Sequence, residues 1–151
     1  MAVNITRAKL SDIVDLYPRL RTVDYDEVRA ANGPMVAYTL VRGFELSDEC
    51  WAARSEKGEL LAVWGTVPSS EGGVIWLLGT DELDRHRGAL LRLAMKYVAN
   101  MLLTYGRLYN YVDARNAKAI RWLDRLGFTI YPAEPRGYEN LPFHLFEKLS
   151  V

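Results

Sequence analysis

Arg85, His86 and Arg87 follow one another, with Gly88 behind them, near the start of the longest helical pattern in the chain. Cations at a helix N-terminus oppose its dipole at about 0.3–1 kcal/mol each, so the cluster is better placed beside an anion. His86 then reads as an anion-binding group rather than a proton carrier. A second reading needs no ligand: Thr80 caps the helix directly, Asp81 and Glu82 stabilise its first turn, and Arg85 to Arg87 form a solvated turn inside it. A loop extending to Arg87 or Gly88 separates the two readings.

Asn116 opens the stretch NAKAIRWLDRLGFTIYP. Its amide caps a helix whose buried stripe is Ala119, Leu123 and Leu126, and Gly127 supplies the left-handed exit before Phe128 enters a strand. Just upstream, Tyr109 and Tyr111 alternate on a predicted strand that ends at Asp113. A phenol with an ordinary pKa near 10 can act as a proton donor. Each tyrosine also reads as a sheet-packing aromatic, and Asp113 as a loop-capping carboxylate. Cys50 beside Trp51 fills core, no Cys-His-Asn spacing marks a nucleophile, and His144 reads as structural.

Composition bounds the function. The 151 residues suit one domain, 1–151; half are apolar and a quarter charged, as in a soluble folded chain. Lys plus Arg and Asp plus Glu each number 19, which leaves no footprint for general nucleic-acid binding. With a single cysteine, neither an intrachain disulfide nor a Cys-based zinc site forms, and a reducing compartment fits. MAVNITRAKL lacks a secretory pattern and no segment has membrane-spanning length, so the reading is cytoplasmic, with no membrane partner and no metal.

The elements that must position these residues follow in order. Val3 to Ala8 reads as a strand, and Ser11-Asp12 caps a helix with Ile13, Leu16 and Leu20 on one side, kinked or ended at Pro18. Asp24 caps a second helix, with an acid three residues on; Gly33 stops it and Pro34 opens a third. Trp51–Arg54, Leu60–Val67 and Val74–Thr80 read as an antiparallel meander. A helix from about Leu83 to Tyr105 carries a stripe wide enough to lie flat on a sheet. Leu108–Val112, Phe128–Tyr131 and Phe143–Lys148 complete the strands. The order β-αα-βββ-α-β-α-ββ gives an α/β (α+β) mixed sheet with helices on both faces.

On these residues the chain resembles the GNAT superfamily of N-acetyltransferases, most closely from Val74 to Tyr131. That family's last helix commonly reads Asn-x-x-Ala-x-x-x-Tyr-x-x-x-Gly-Phe; Asn116, Ala119, Gly127 and Phe128 match, and Leu123 stands where the tyrosine belongs. Its pyrophosphate loop, Gln/Arg-x-x-Gly-x-Gly/Ala, is similar to Arg85-His86-Arg87-Gly88-Ala89-Leu90, with Leu90 departing. The resemblance implies a mainly antiparallel GNAT-like sheet of six to seven strands and acetyl-CoA as co-substrate. It implies cofactor binding by Leu78, Gly79, Thr80, Arg85, His86, Arg87, Gly88, Ala89 and Asn116. It also implies a backbone N–H within Leu77 to Thr80 that polarises the thioester, with Tyr109, Tyr111 and Asp113 left as catalytic candidates. The acceptor is an unknown amine, reached through acids such as Asp24, Asp26, Glu27, Glu134 and Glu139.

Gly43–Trp51, Trp76–Thr80 and Leu108–Asp113 also resemble the small GNAT-like proteins of short-tailed phages related to internal virion protein A. That texture implies a bacteriophage origin, residence in host cytoplasm or a virion, and a phage or host protein partner. Two alternatives to catalysis stand. One is a GNAT-derived assembly, virion or host-interaction protein, favoured by Leu90 and Leu123. The other is an adaptor binding through exposed aromatics near Trp51, Trp64 and Trp76.

Overall fold

The computed structural model describes residues 2–151. Strand β1 (Val3–Arg7) is followed by helices α1 (Leu10–Leu16), α2 (Thr22–Asn32) and α3 (Val36–Leu46), then β2 (Glu49–Ser55), β3 (Leu60–Ser69) and β4 (Gly72–Gly79). Helix α4 (Arg87–Tyr105) crosses to β5 (Arg107–Asp113), and α5 (Ala117–Arg125), β6 (Thr129–Ile130), β7 (Glu134–Arg136) and β8 (Leu141–Leu149) complete the chain. The sheet runs β1-β2-β3-β4-β5-β8-β6, with β7 also on β8. Every pairing is antiparallel except β4 with β5, which the α4 crossover makes parallel.

Two cores sit on opposite faces. Ile13, Leu16, Val36, Leu40, Ala52 and Val63 join α1 and α3 to one face. Leu90, Val98 and Met101 of α4 pack with Trp64, Val112 and Phe146 on the other. The wide stripe anticipated for α4 is this contact.

Among the described residues the sheet has eight strands rather than six or seven. The additional β7 is Glu134-Pro135-Arg136, a polar edge segment with no apolar alternation to announce it. Helix α4 begins at Arg87, not Leu83, because Asp81–Arg85 forms a separate 3₁₀ turn. Thr80 does not cap it: its hydroxyl donates to Leu60 O on β3 at 2.7 Å. Helix α2 starts at Thr22, so Asp24 lies inside its first turn. Leu16 ends α1, with Pro18 in the 3₁₀ turn that follows.

At α5 the anticipated ends are observed. Asn116 Oδ1 accepts from Ala119 N at 3.3 Å, and Gly127 takes φ 86° while Phe128 N donates to Leu123 O at 3.0 Å. The β7–β8 hairpin is fastened to α2 through the backbone, Tyr138 N donating to Ala31 O at 3.1 Å and Glu139 N to Ala30 O at 2.9 Å. Gly137 permits this approach, with φ 82° and an imagined Cβ only 2.9 Å from Ala30 O. Gly137→Ala is expected to lower unfolding free energy by about 1–3 kcal/mol, read by urea denaturation.

Candidate functional site

Strands β4 and β5 pair only at Gly73 with Leu108 and Val74 with Tyr109. Beyond that they diverge. Asn110 Nδ2 donates to Ile75 O at 2.7 Å, spanning the first step of the opening with a side chain instead of a ladder bond. Thr80 N donates to Leu61 O, so along β4 the amides of Thr80, Leu78 and Trp76 point to β3. Those of Ile75, Leu77 and Gly79 point into the opening.

Helix α2 closes its far end. Gly79 N donates to Asp24 Oδ2 at 2.8 Å, and Gly79 O accepts from Arg21 N at 2.9 Å. Arg21 Nε in turn donates to Asp24 Oδ2 at 2.9 Å, both side chains being buried. With Ile75 O and Gly79 occupied, the backbone of Leu77 is what β4 presents to the opening. A cavity of about 260 Å³ runs through the sheet at this level, lined by Leu77, by Ala94, Trp122 and Leu123 toward α4 and α5, and by Val28, Leu40 and Trp76 toward α2 and α3.

The start of α4 is open in the manner that an anion site requires. Leu90 N is the first amide to find a turn partner, His86 O at 3.0 Å, so the N–H groups of Arg87, Gly88 and Ala89 lack intrahelical acceptors. A Cβ on Gly88 would meet nothing within 4 Å. A small cavity of about 50 Å³ in front of it is lined by Arg87, Arg121 and Arg125. None of these three arginines has a carboxylate partner among the described residues. Leu90 does not crowd this space; it is fully buried in the core beneath α4. Arg85 pairs with Glu82 at 3.3 Å and His86 Nδ1 lies 3.1 Å from Glu82 O, so both turn back toward the 3₁₀ segment.

The remaining predicted residues separate. Tyr111 lines the through-sheet cavity, with the Arg136 guanidinium 3.4 Å over its ring and its hydroxyl unpartnered among the described residues. Tyr109 lies at the paired end, outside the lining, where its hydroxyl meets Ser69 Oγ at 2.8 Å. Asp113 is also outside the lining. Burial alone would raise its pKa, but the Arg115 guanidinium at 2.7 Å and the Arg115 N–H hold it below the usual carboxylate range. Leu78 and Gly79 line or border the opening, with their amides committed to β3 and Asp24 and the Thr80 hydroxyl committed to Leu60 O.

Asn116 is buried, and its Nδ2 donates to Glu27 Oε1 at 3.1 Å and Asp24 Oδ1 at 3.4 Å, so its amide is spent inside the protein. Cys50 is no nucleophile: burial, with Asp12 nearby, pushes its thiol up to about 12. Of the tryptophans proposed for an adaptor surface, Trp64 is buried, Trp51 packs edge-on against Tyr97 at 5.0 Å, and Trp76 lines the cavity.

Glu27 was anticipated only as one of several acids near the acceptor side. It lines the cavity, whereas Asp26, Glu134 and Glu139 do not. Its Oε1 accepts from Asp113 N at 3.2 Å as well as from Asn116. Its Oε2 has no partner among the described residues and is not sealed from solvent. Burial, helped by the charges of Asp24 and Asp113 and opposed by these hydrogen bonds, raises its pKa from 4.5 to about 7. The spacing Asp24, Glu27, Val28, Ala31 marks one helical face, which was the available sequence signal.

No protein-family model and no curated protein matches the chain. Solved structures do. A GCN5-related N-acetyltransferase from Kribbella flavida superposes with TM-score 0.74 at 16% identity, covering 99% of this chain and 98% of that one. Spermidine N-acetyltransferase from Vibrio cholerae, in complex with CoA and spermine, gives 0.72 at 10% identity over 97% and 95%. A GNAT-family acetyltransferase from Streptococcus pneumoniae gives 0.64 at 17% identity over 99% and 100%. The fold is the GNAT fold. At these identities the likeness extends to the fold alone.

The raised Glu27 pKa has a consequence for stability. Between about pH 4.5 and 7 the folded chain holds the Glu27 proton more firmly than the unfolded chain, so stability contributed at this group falls as pH rises through that window. Glu27→Gln keeps an acceptor for Asp113 and Asn116 without the charge. The variant is expected to melt above wild type at pH 8 and to converge on it near pH 4.5, measured by thermal unfolding across pH.

Proposed function

We propose that this protein is an acetyl-CoA-dependent N-acetyltransferase. The observation that supports it is the placement of the Leu77 amide in a through-sheet opening, between an arginine-framed helix N-terminus on one side and an unpartnered carboxylate oxygen on the other. Acetyl-CoA enters as co-substrate on the α4/α5 side. The open amides of Arg87, Gly88 and Ala89, with the α4 dipole behind them, suit its diphosphate, and Arg121 and Arg125 add charge. Asn116 contributes by holding α5 and Glu27 in place rather than by touching the ligand.

The Leu77 N–H faces the position a thioester carbonyl would take and stabilises the negative charge that grows on its oxygen. The amine approaches from the α2/α3 side. Glu27 Oε2 accepts a proton from the ammonium, and the freed nitrogen attacks the carbonyl carbon. As the new C–N bond forms the C–S bond breaks, and the thiolate takes a proton. Leu123, in the cavity wall, cannot give one; the unpartnered hydroxyl of Tyr111 can.

Leu123 also favours the second reading, a GNAT-derived protein that acts through protein contacts without catalysing. The phage-type origin, host or virion location and protein partners attached to that reading rest on sequence texture. Among the described residues no helix is long and apolar enough to cross a membrane.

Acetyl-CoA at about a hundred times its Kd is expected to add about 2.7 kcal/mol to unfolding free energy, read as a rise in Tm. Release of free CoA thiol on adding amines then separates catalysis from binding alone. Tyr111→Phe is expected to lower kcat about 100-fold with little change in the Kd for acetyl-CoA. Absence of any acetyl-CoA effect on Tm rejects the proposal; a Tm rise without thiol release supports the non-catalytic reading.

A further inference from the structure

The α2/α3 half of the cavity has a composition that selects among amines. Its walls include Trp76, Tyr111, Phe143, Val28 and Leu40. The Trp76 indole is fixed: its Nε1 donates to Ser47 Oγ at 2.9 Å, and its ring lies so close to Gly65 that a Cβ there would fall 2.9 Å from Cζ2. Phe143 is 2% exposed and equally confined. Tyr111 is held from one side by Arg136. The aromatic surface is therefore preorganised.

Against it stands one available negative group. Both oxygens of Asp24 are taken, by Gly79 N, Arg21 and Asn116. Thr39 Oγ1 turns back to Met35 O at 3.2 Å. Glu139, outside the cavity, is paired with Arg29. Glu27 Oε2 is what remains for a cation. Arg136, stacked on Tyr111 behind the cavity wall, has no carboxylate partner among the described residues, so a second ammonium on the same substrate would find an unpaired positive charge nearby and no second free carboxylate in the lining.

We infer that the acceptor is a primary amine on a flat apolar body, an arylalkylamine by class, with its single ammonium at Glu27 and its ring among Trp76, Tyr111 and Phe143. The chemistry performed on it rests on the acetyl-transfer reading; its binding does not. A polyamine leaves its further ammonium groups without a carboxylate and the aromatic wall without a partner.

Isothermal titration at pH 8 with phenethylamine and with spermidine, each with and without CoA, tests this. Phenethylamine is expected to bind at least ten times more tightly than spermidine. Glu27→Gln and Trp76→Leu are each expected to weaken phenethylamine at least tenfold. Arg136→Glu, a surface change, is expected to improve spermidine binding, a gain that no folding defect imitates. Equal or tighter binding of spermidine by wild type, or binding of neither amine, overturns the inference. Thiol release from acetyl-CoA distinguishes it from the reading beneath it. If phenethylamine binds in the expected pattern but no thiol appears, acetyl transfer fails and the amine site stands; if spermidine is the amine acetylated, the amine class fails and acetyl transfer stands.

Discussion

The clasp between Gly79 and the start of α2 is the constraint on which the site depends. A strand that leaves its neighbour exposes backbone groups that must find other partners, because a buried unpaired N–H or C=O is costly. Here Asp24 accepts the Gly79 N–H and the Arg21 N–H donates to the Gly79 carbonyl, so the abandoned edge of β4 is satisfied by a helix. Asn110 does the same at the other end by bonding Ile75 O. The gap between them is thereby held open with both of its ends satisfied, and Leu77 is left as the stretch of edge that a ligand can use.

The same clasp orients the acidic residues. Arg21 and Asp24 neutralise each other while buried, and breaking such a pair by removing one partner typically costs about 3–5 kcal/mol. Asp24 is consequently structural despite its place in the cavity wall. One helical turn along, Glu27 has no arginine against it; neutral donors hold one oxygen and leave the other without a partner among the described residues. Two carboxylates three residues apart are thus put to different uses by their neighbours alone: both oxygens of Asp24 are spent within the fold, and one of Glu27 is not.

What could be read in advance divides by sequence distance. The Asn116 cap and the Gly127 exit are settled by residues within one or two turns, and so are Gly33 and the meander from Glu49 to Gly79. The start of α4 could not be read that way, because the hydroxyl that would have capped it is claimed by Leu60 from another strand. Leu90 departs from the glycine pattern, and what that departure means depends on whether its side chain faces the core; it does. Strand β7 is ordered by β8 and by α2, not by its own Glu-Pro-Arg sequence. Glu27 was legible as an acid near the acceptor side, while its selection from among Asp26, Glu134 and Glu139 required knowing how α2 docks. Tyr109 and Tyr111 share one face of β5, and only the unzipping of β4 from β5 between them separates a packed phenol from one in a cavity.

The cavity's two halves draw their walls from different lengths of chain. Residues of α2, α3 and the β7–β8 hairpin enclose one side, while α4 and α5 enclose the other, and they meet only across the backbone of β4 and β5. Such a partition is modular. Variation confined to the first set reshapes one chamber without disturbing the helix terminus and arginines that border the other, so the two halves are free to change independently.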